Sequence, residues 1–364
     1  MNIKAERYSI MTENLIPKKV RDIEAYTPNL TPVPVRLDAN ESPFLPSKAV
    51  LDELAAAVYN IDFNRYPDPY ASELISEFAK LYSLDPANIV AGNGSDELIN
   101  LIVSGLTEPG DSVSVAMPDF SMYAFYSYLA GAKEMNFVKT ADFEIDFDAL
   151  LREVETNRSK MVLFSNPCNP TGWVAKRDVL VSFIERTNAI VVADEAYMEF
   201  SPEDESVLDL VNKYDNLIVL KTMSKVFGSA ALRLGFMVAG KPLVEAINKI
   251  KSPYNVNTVS QVFGRIILAH DDEVKAKLVE IKSNLTYLRG ELLKIDSPVI
   301  KRIMPTAANF VYIQTESQEK AAAIKGELME KGVAIRQMKD YLRITAGTRE
   351  EIDIFLEKLR EVLK

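Results

Sequence analysis

An open α/β fold is what this sequence predicts: a largely parallel sheet between layers of helices, with a smaller α+β unit attached. Three observations carry that expectation. Short, nearly continuous apolar runs at residues 89–91, 112–116, 161–164, 189–193, 217–220 and 234–238 alternate with stretches of helical spacing. Strands apolar on both faces belong in the middle of a sheet covered by helices on both sides, and such sheets are mostly parallel. After about residue 250 the pattern changes to long helices over roughly 258–294. A strand pair around 309–313 and 342–345 then encloses another helix, and a last helix follows at 349–363. The length, 364 residues, leaves room for two packed units sharing a cleft.

The elements before the first strand follow the same logic. Pro28, Pro32, Pro34, Pro43 and Pro46 forbid a regular helix over 27–46, which reads as an extended arm. From Ser47 the spacing turns helical through Val50, Leu51, Leu54 and Val58. Asn64-Arg65-Tyr66-Pro67-Asp68-Pro69 breaks it, and a second helix runs through Leu74, Phe78 and Leu81. We expect the arm to join the C-terminal unit. The domains would then be 47–250, and a discontinuous one made of 1–46 and 251–364.

Composition removes several function classes. Lys and Arg number 42 against 52 Asp and Glu, a net charge of −10, which disfavours general attraction to nucleic acid or anionic membrane. An anionic ligand must therefore meet a local cationic site. One cysteine, Cys168, excludes an internal disulfide framework, and one histidine, His270, excludes a multi-histidine metal site and makes histidine an unexpected proton shuttle. Cys168 reads as a small packing residue and His270 as a helix-end surface residue. Lys4, Glu6, Arg7 and Glu13 interrupt the N-terminus, and no stretch reaches the roughly 20 apolar residues of a membrane span, so a cytoplasmic location is expected.

In an open α/β sheet, ligands collect beyond the carboxyl ends of the strands. Read in order, those ends form a set. Gly92-Asn93-Gly94-Ser95-Asp96-Glu97 is a glycine-rich turn opening a helix, suited either to a phosphate or simply to a capped helix start. Pro118-Asp119-Phe120-Ser121-Met122-Tyr123 sets aromatics at a helix start, as core or as a platform. Asn166-Pro167-Cys168-Asn169-Pro170-Thr171-Gly172 is a rigid turn presenting amides. Asp194 closes an apolar strand, where a carboxylate is costly without a cationic partner, and Ser224-Lys225 closes another, with Arg233 eight residues on. A lysine, a buried carboxylate, an aromatic face and phosphate donors together suit pyridoxal 5′-phosphate, whose aldehyde bonds a lysine and whose ring nitrogen needs a carboxylate to stay protonated.

With these motifs the chain resembles the fold-type I pyridoxal-phosphate aminotransferases of classes I and II, and within them the histidinol-phosphate branch. The likeness runs from Leu37-Asp38-Ala39-Asn40-Glu41-Ser42-Pro43 to Leu342-Arg343-Ile344-Thr345-Ala346-Gly347-Thr348. It takes in Asn64-Arg65-Tyr66-Pro67-Asp68, Pro253-Tyr254-Asn255-Val256-Asn257 and the ordered Asn-Pro-Thr-Gly, Asp-Glu-Ala-Tyr and Ser-Lys motifs. Leu45 and Ala231 stand where the family often has glycine.

The resemblance implies a large domain with a mostly parallel seven-stranded sheet between helices, a smaller α+β domain, and a homodimer. It implies a catalytic set of Lys225, Asp194 and Tyr197. Lys225 would bond the cofactor and move the proton, Asp194 would pair with the ring nitrogen, Asn169 and Tyr197 would bond the ring oxygen, and Phe120 would stack on the ring. Phosphate would sit against Ser95, Asp96, Thr222, Ser224 and Arg233, with Tyr66 reaching over from the other subunit. Arg343 would hold the substrate's carboxylate or phosphate, because a guanidinium fork matches either, and Tyr26 and Asn40 would finish the pocket. No metal is implied. The implied reaction moves an amino group from L-histidinol phosphate to 2-oxoglutarate, giving imidazole acetol phosphate and glutamate in histidine biosynthesis. The alternatives are a broader aromatic aminotransferase and a lyase or decarboxylase on the same scaffold, such as a threonine-phosphate decarboxylase.

Overall fold

A computed structural model of the protein describes residues 15–364 apart from Tyr26, Pro28 and Leu30. Residues 1–32 and 33–364 are separate compact units. The described part of the first contains one short helix, Lys18–Arg21.

The second unit holds two sheets. The larger has seven strands in the order β2-β8-β7-β6-β5-β3-β4, where β2 is Ile89–Asn93, β3 Ser112–Met117, β4 Lys133–Val138, β5 Met161–Ser165, β6 Ile190–Asp194, β7 Leu217–Thr222 and β8 Leu234–Ala239. Only β8 runs against its neighbours; the pairs β3–β4, β3–β5, β5–β6 and β6–β7 are parallel. The apolar runs alternate between two cores. Val162, Phe164, Val191, Ala193 and Val219 pack on one face, and Met161, Leu163, Val192, Ile218 and Leu220 on the other. The second face is closed by Leu98, Ile99, Ile102 and Val103 of helix Ser95–Leu106 and by Val244 and Ile247 of helix Lys241–Ile250. At roughly 25 cal/mol per Å² of apolar area, this two-sided burial is the main stabilising contribution of the sheet.

The smaller sheet has the order β1-β11-β12-β10-β9, with β1 at Val35–Leu37, β9 at Ile300–Ile303, β10 at Phe310–Thr315, β11 at Val333–Met338 and β12 at Tyr341–Thr345. Here β1 lies parallel to β11, Val35 opposite Val333, and the remaining pairs are antiparallel.

Strands β1, β4, β9 and β11 were not expected from the sequence. The edge strand β4 (KEMNFV) buries only Phe137, so it lacks the apolar run by which the central strands announce themselves. The helical stretch expected over 258–294 is two helices, Thr258–Ala269 and Asp271–Leu292, divided at His270. That residue is a surface helix end, its Nε2 2.8 Å from Glu53 Oε2. Among the described residues no helix is long and apolar enough to cross a membrane.

Candidate active site

The predicted site residues converge where β3, β5, β6 and β7 of the large sheet end against β10 and β12 of the small one. Asp194 is the last residue of β6, on the same face as Val192, and it is buried. It accepts from Tyr123 Oη at 2.8 Å and from the Ala196 amide at 3.1 Å. No cation is among the groups that shift it; burial pushes its carboxyl up to about 6. Tyr123 itself is pushed far above its ordinary range, first by burial and then by the Asp194 charge. A buried carboxylate held by hydrogen bonds alone is a place prepared for a cation.

Around it stand the amide, phenol and amine. The Tyr197 hydroxyl accepts from Asn40 Nδ2 at 3.0 Å, and its ring lies 5.6 Å below Lys225 Nζ. Lys225, just beyond β7, donates to the Ala39 carbonyl at 3.3 Å. Asn40 is fully buried with φ of 55°, a left-handed conformation that asparagine tolerates. It is fixed by Thr345 Oγ1 and by Asn309 on the small-sheet side and by Tyr197 beyond β6, so the arm's turn is tied to both sheets. From β12, Arg343 reaches across to Asn169: Nη1 donates to Asn169 Oδ1 at 2.5 Å, and Nη2 to the Asp38 carbonyl at 2.9 Å. Burial, and then the charge of Arg336, pull the Arg343 guanidinium below its usual value. Phe120 meets Tyr123 edge-on at 5.6 Å.

The phosphate candidates form one group. Helix Ser95–Leu106 starts after Gly94, whose φ is +84° and whose Cβ, were there one, would lie 2.6 Å from Arg233 Nη2. At Gly235 a Cβ would stand 2.4 Å from the Ser95 amide nitrogen, so two glycines let β8 and Arg233 close on the helix start. Arg233 pairs with Asp96 at 3.4 Å, and the Ser224 amide donates to Thr222 Oγ1 at 3.1 Å. Ala231 keeps an ordinary backbone within the turn Ala230–Leu232, so a glycine's freedom is not needed there.

Tyr66, expected to reach the site of another subunit, stands apart from this chain's own cluster. Tyr66 is 80% exposed and stacks on Tyr254 with ring centroids 4.5 Å apart. Tyr26 lies outside the described residues. Two others were missed. Tyr123 is quoted in its motif without a role, although its hydroxyl is the strongest partner of Asp194. Arg336 is directly opposite Arg343 in the β11–β12 register, on the same face of the sheet. The strand carrying it was not foreseen, so nothing in the sequence placed it beside Arg343.

A group with a cationic ring nitrogen, a phosphate and a reactive carbonyl matches this donor set. Asp194 lacks a cation, and Asp38 Oδ1, Asp96 Oδ1, Asn309 Oδ1 and Arg343 Nε are buried without a partner among the described residues. This constellation on a seven-stranded, mostly parallel sheet defines a fold-type I enzyme. The chain belongs to the aminotransferase class I and II family, whose model matches residues 32–359, and the protein is an aminotransferase. It is 38% identical over 346 residues to the histidinol-phosphate aminotransferase of Clostridium novyi, covering 94% of this chain and 95% of that one. Among solved structures it is similar to histidinol-phosphate aminotransferase from Sinorhizobium meliloti in complex with pyridoxal-5′-phosphate, with TM-score 0.88, 25% identity and 96% and 97% of the two chains covered. L-threonine-O-3-phosphate decarboxylase from Porphyromonas gingivalis shares the fold at TM-score 0.78 and 20% identity, covering 90% of this chain and 99% of that one.

Proposed function

We propose that this aminotransferase uses pyridoxal 5′-phosphate to pass the amino group of L-histidinol phosphate to 2-oxoglutarate, as a step of histidine biosynthesis in the cytoplasm. The observation that carries the substrate reading is the pair Arg336 and Arg343, opposite each other in the β11–β12 register, with Arg343 bonded to Asn169. One site must take both a phosphate-tailed imidazole without a carboxylate and a glutamate with one, and two forks can serve both. The relative of known name at 38% identity supports the same choice.

The residues divide the work. Lys225 holds the cofactor covalently and, once freed, its Nζ takes the proton from the donor's amine-bearing carbon. Asp194 accepts a hydrogen bond from the protonated ring nitrogen, and that cation draws the Asp194 pKa back down. Tyr197 and the Asn169 amide donate to the ring oxygen, and Phe120 covers the ring. The Ser95 and Asp96 amides, Thr222, Ser224 and Arg233 hold the phosphate, joined by Tyr66 of a second copy in a homodimer. Asn40, through Tyr197, and Tyr26 complete the pocket. When bound, the cofactor supplies the electron sink that makes breaking this carbon–hydrogen bond feasible. For the discontinuous second domain expected over 1–46 and 251–364, beside 47–250, the support is the pairing of Val35–Leu37 with Val333–Ile335, which bears on residues 33–46 alone.

The deciding experiment compares kcat/KM for histidinol phosphate, phenylalanine and tyrosine with 2-oxoglutarate as acceptor. Histidinol phosphate should lead clearly; if phenylalanine equals it, the narrow substrate is wrong. Arg343→Ala should damage both half-reactions. Arg336→Met should harm the phosphate substrate more than glutamate. Conversion of donor to a decarboxylated amine, without regeneration by 2-oxoglutarate, would favour the lyase alternative.

A further inference from the structure

Behind Phe120 and Asn169 lies an ion pair with no place in the roles above. Lys139, one residue past β4, and Asp119, two past β3, meet at 3.0 Å with both side chains fully shielded from solvent. The Lys139 ammonium has three N–H donors and three acceptors: Asp119 Oδ2, the Pro118 carbonyl at 2.9 Å and Cys168 Sγ at 3.0 Å. Two of these belong to the loop after β3 and one to the loop after β5. Asp119 completes the bridge, because its Oδ1 accepts from the Phe120 amide at 2.8 Å and from Ser165 Oγ and N. Ser165 Oγ in turn accepts from the backbone N–H of Asn169 at 3.0 Å. Cys168 is therefore one of three acceptors in this clamp as well as a packed residue.

A buried pair is a poor device for stability alone, since apolar residues of like volume are often as good or better. What it does provide is direction: each charge must be met at fixed angles, so the groups meeting it are fixed too. Burial opposes the Lys139 charge, but Asp119 and Cys168 together outweigh it and hold the ammonium above its ordinary pKa, so Lys139 keeps its charge across the working range. Other titratable groups facing it are Cys168, Tyr123 and, through Tyr123, Asp194.

We propose that Lys139, Asp119 and Ser165 are positioning residues that lock the loop carrying Phe120 to the loop carrying Asn169, and so set the slot into which the cofactor ring fits. This rests on the pyridoxal-phosphate reading of the site. Neither Lys139 nor Asp119 touches the ring; both act through Phe120 and Asn169.

The test uses full-length protein, wild type, Ser165→Ala, and the charge-free double variant Lys139→Met with Asp119→Asn. Three quantities are read: the dissociation constant of pyridoxal 5′-phosphate from the apoprotein, the induced circular dichroism of the bound cofactor per unit absorbance, and the melting temperature of the apoprotein. Both variants should bind about fivefold to tenfold more weakly, as loss of one or two positioned hydrogen bonds implies, and lose about half of the induced circular dichroism. The double variant should melt no lower than wild type, so that weaker binding and a smaller signal cannot be put down to lost stability. Wild-type values in either variant, or a loss that only tracks the melting temperature, overturns the proposal. If the double variant does not fold, Ser165→Ala decides. A wild-type chain that binds no pyridoxal phosphate overturns the cofactor reading itself.

Discussion

Asp194 and Glu195 are consecutive, both buried, and on opposite faces of the large sheet. Toward one core, Glu195 lies 3.3 Å from Lys221 and accepts from Ser206 Oγ at 2.6 Å and the Val207 amide at 2.8 Å. Lys221 is shared with Glu199, which also accepts from Tyr82 Oη. The two glutamates raise Lys221 against the cost of burial, and Lys221 partly offsets the burial that raises Glu195. Toward the other core, Asp194 has a phenol and an amide but no cation. One carboxylate has a cation from the chain; among the described residues its neighbour has none. Burial of a charge does not distinguish structure from function, but the completeness of its partners does.

That contrast can be broken from either side. The largest effect is expected outside the two carboxylates, at the amine proposed to bond the cofactor: Lys225→Ala should abolish turnover, and borohydride reduction with peptide mapping should place the cofactor label on Lys225 in the wild type. A label on another lysine would refute the assignment.

Lys221→Met leaves Glu195 buried without its cation. It should cost about 3–5 kcal/mol of stability, while the folded fraction keeps near-normal kcat. A stable Lys221→Met protein with impaired chemistry would erase the distinction between the two faces.

Asp194→Asn should do the reverse, lowering kcat by roughly 10–100-fold, the value of one charged hydrogen bond, and stabilising the apoprotein at neutral pH. The sign follows from linkage. Asp194 titrates at about 6 when folded against 3.8 for the free side chain, so the folded state binds more protons between those values. Apoprotein stability should therefore fall as pH rises from about 4 to about 6, by up to about 3 kcal/mol. The melting temperature of Asp194→Asn should lack that component, and added cofactor should suppress it in the wild type. A flat wild-type profile would show that the carboxylate already has its cation.

The smallest effect concerns Tyr66. Tyr66→Phe should weaken cofactor binding about fivefold, as for one lost phosphate hydrogen bond. Mixing these chains with Lys225→Ala chains should give heterodimers with one intact site. A fully active monomer in sedimentation would contradict that arrangement.

The central strands were legible because burial on both faces writes itself as an unbroken apolar run. β4 and β11 were not, since each carries polar residues along an edge or beside the site, and Lys139 and Arg336 were lost with them. Lys225, Asp194 and Asn169 could be named in advance because each sits in a motif at or just beyond a strand end, and Arg343 because the family resemblance marks its motif, which lies within β12. Their distances could not: Arg343 and Asn169 are 174 residues apart, and only the docking of two sheets joins them. Tyr123 looked like core because it is core, and its hydroxyl has a second use that periodicity does not register.

The bond between Arg343 and Asn169 has a consequence for how the protein could be watched. Arg343 engages the oxygen end of that amide, which leaves its nitrogen end to donate. A carboxylate arriving at Arg343 competes for the same guanidinium and releases the amide oxygen. With a coloured ring held against Asn169, occupancy at one end of the pocket becomes a change of hue at the other. Titrating the cofactor-loaded protein with an unreactive dicarboxylate should then shift the visible spectrum without any turnover, making the enzyme its own indicator dye for acceptor binding.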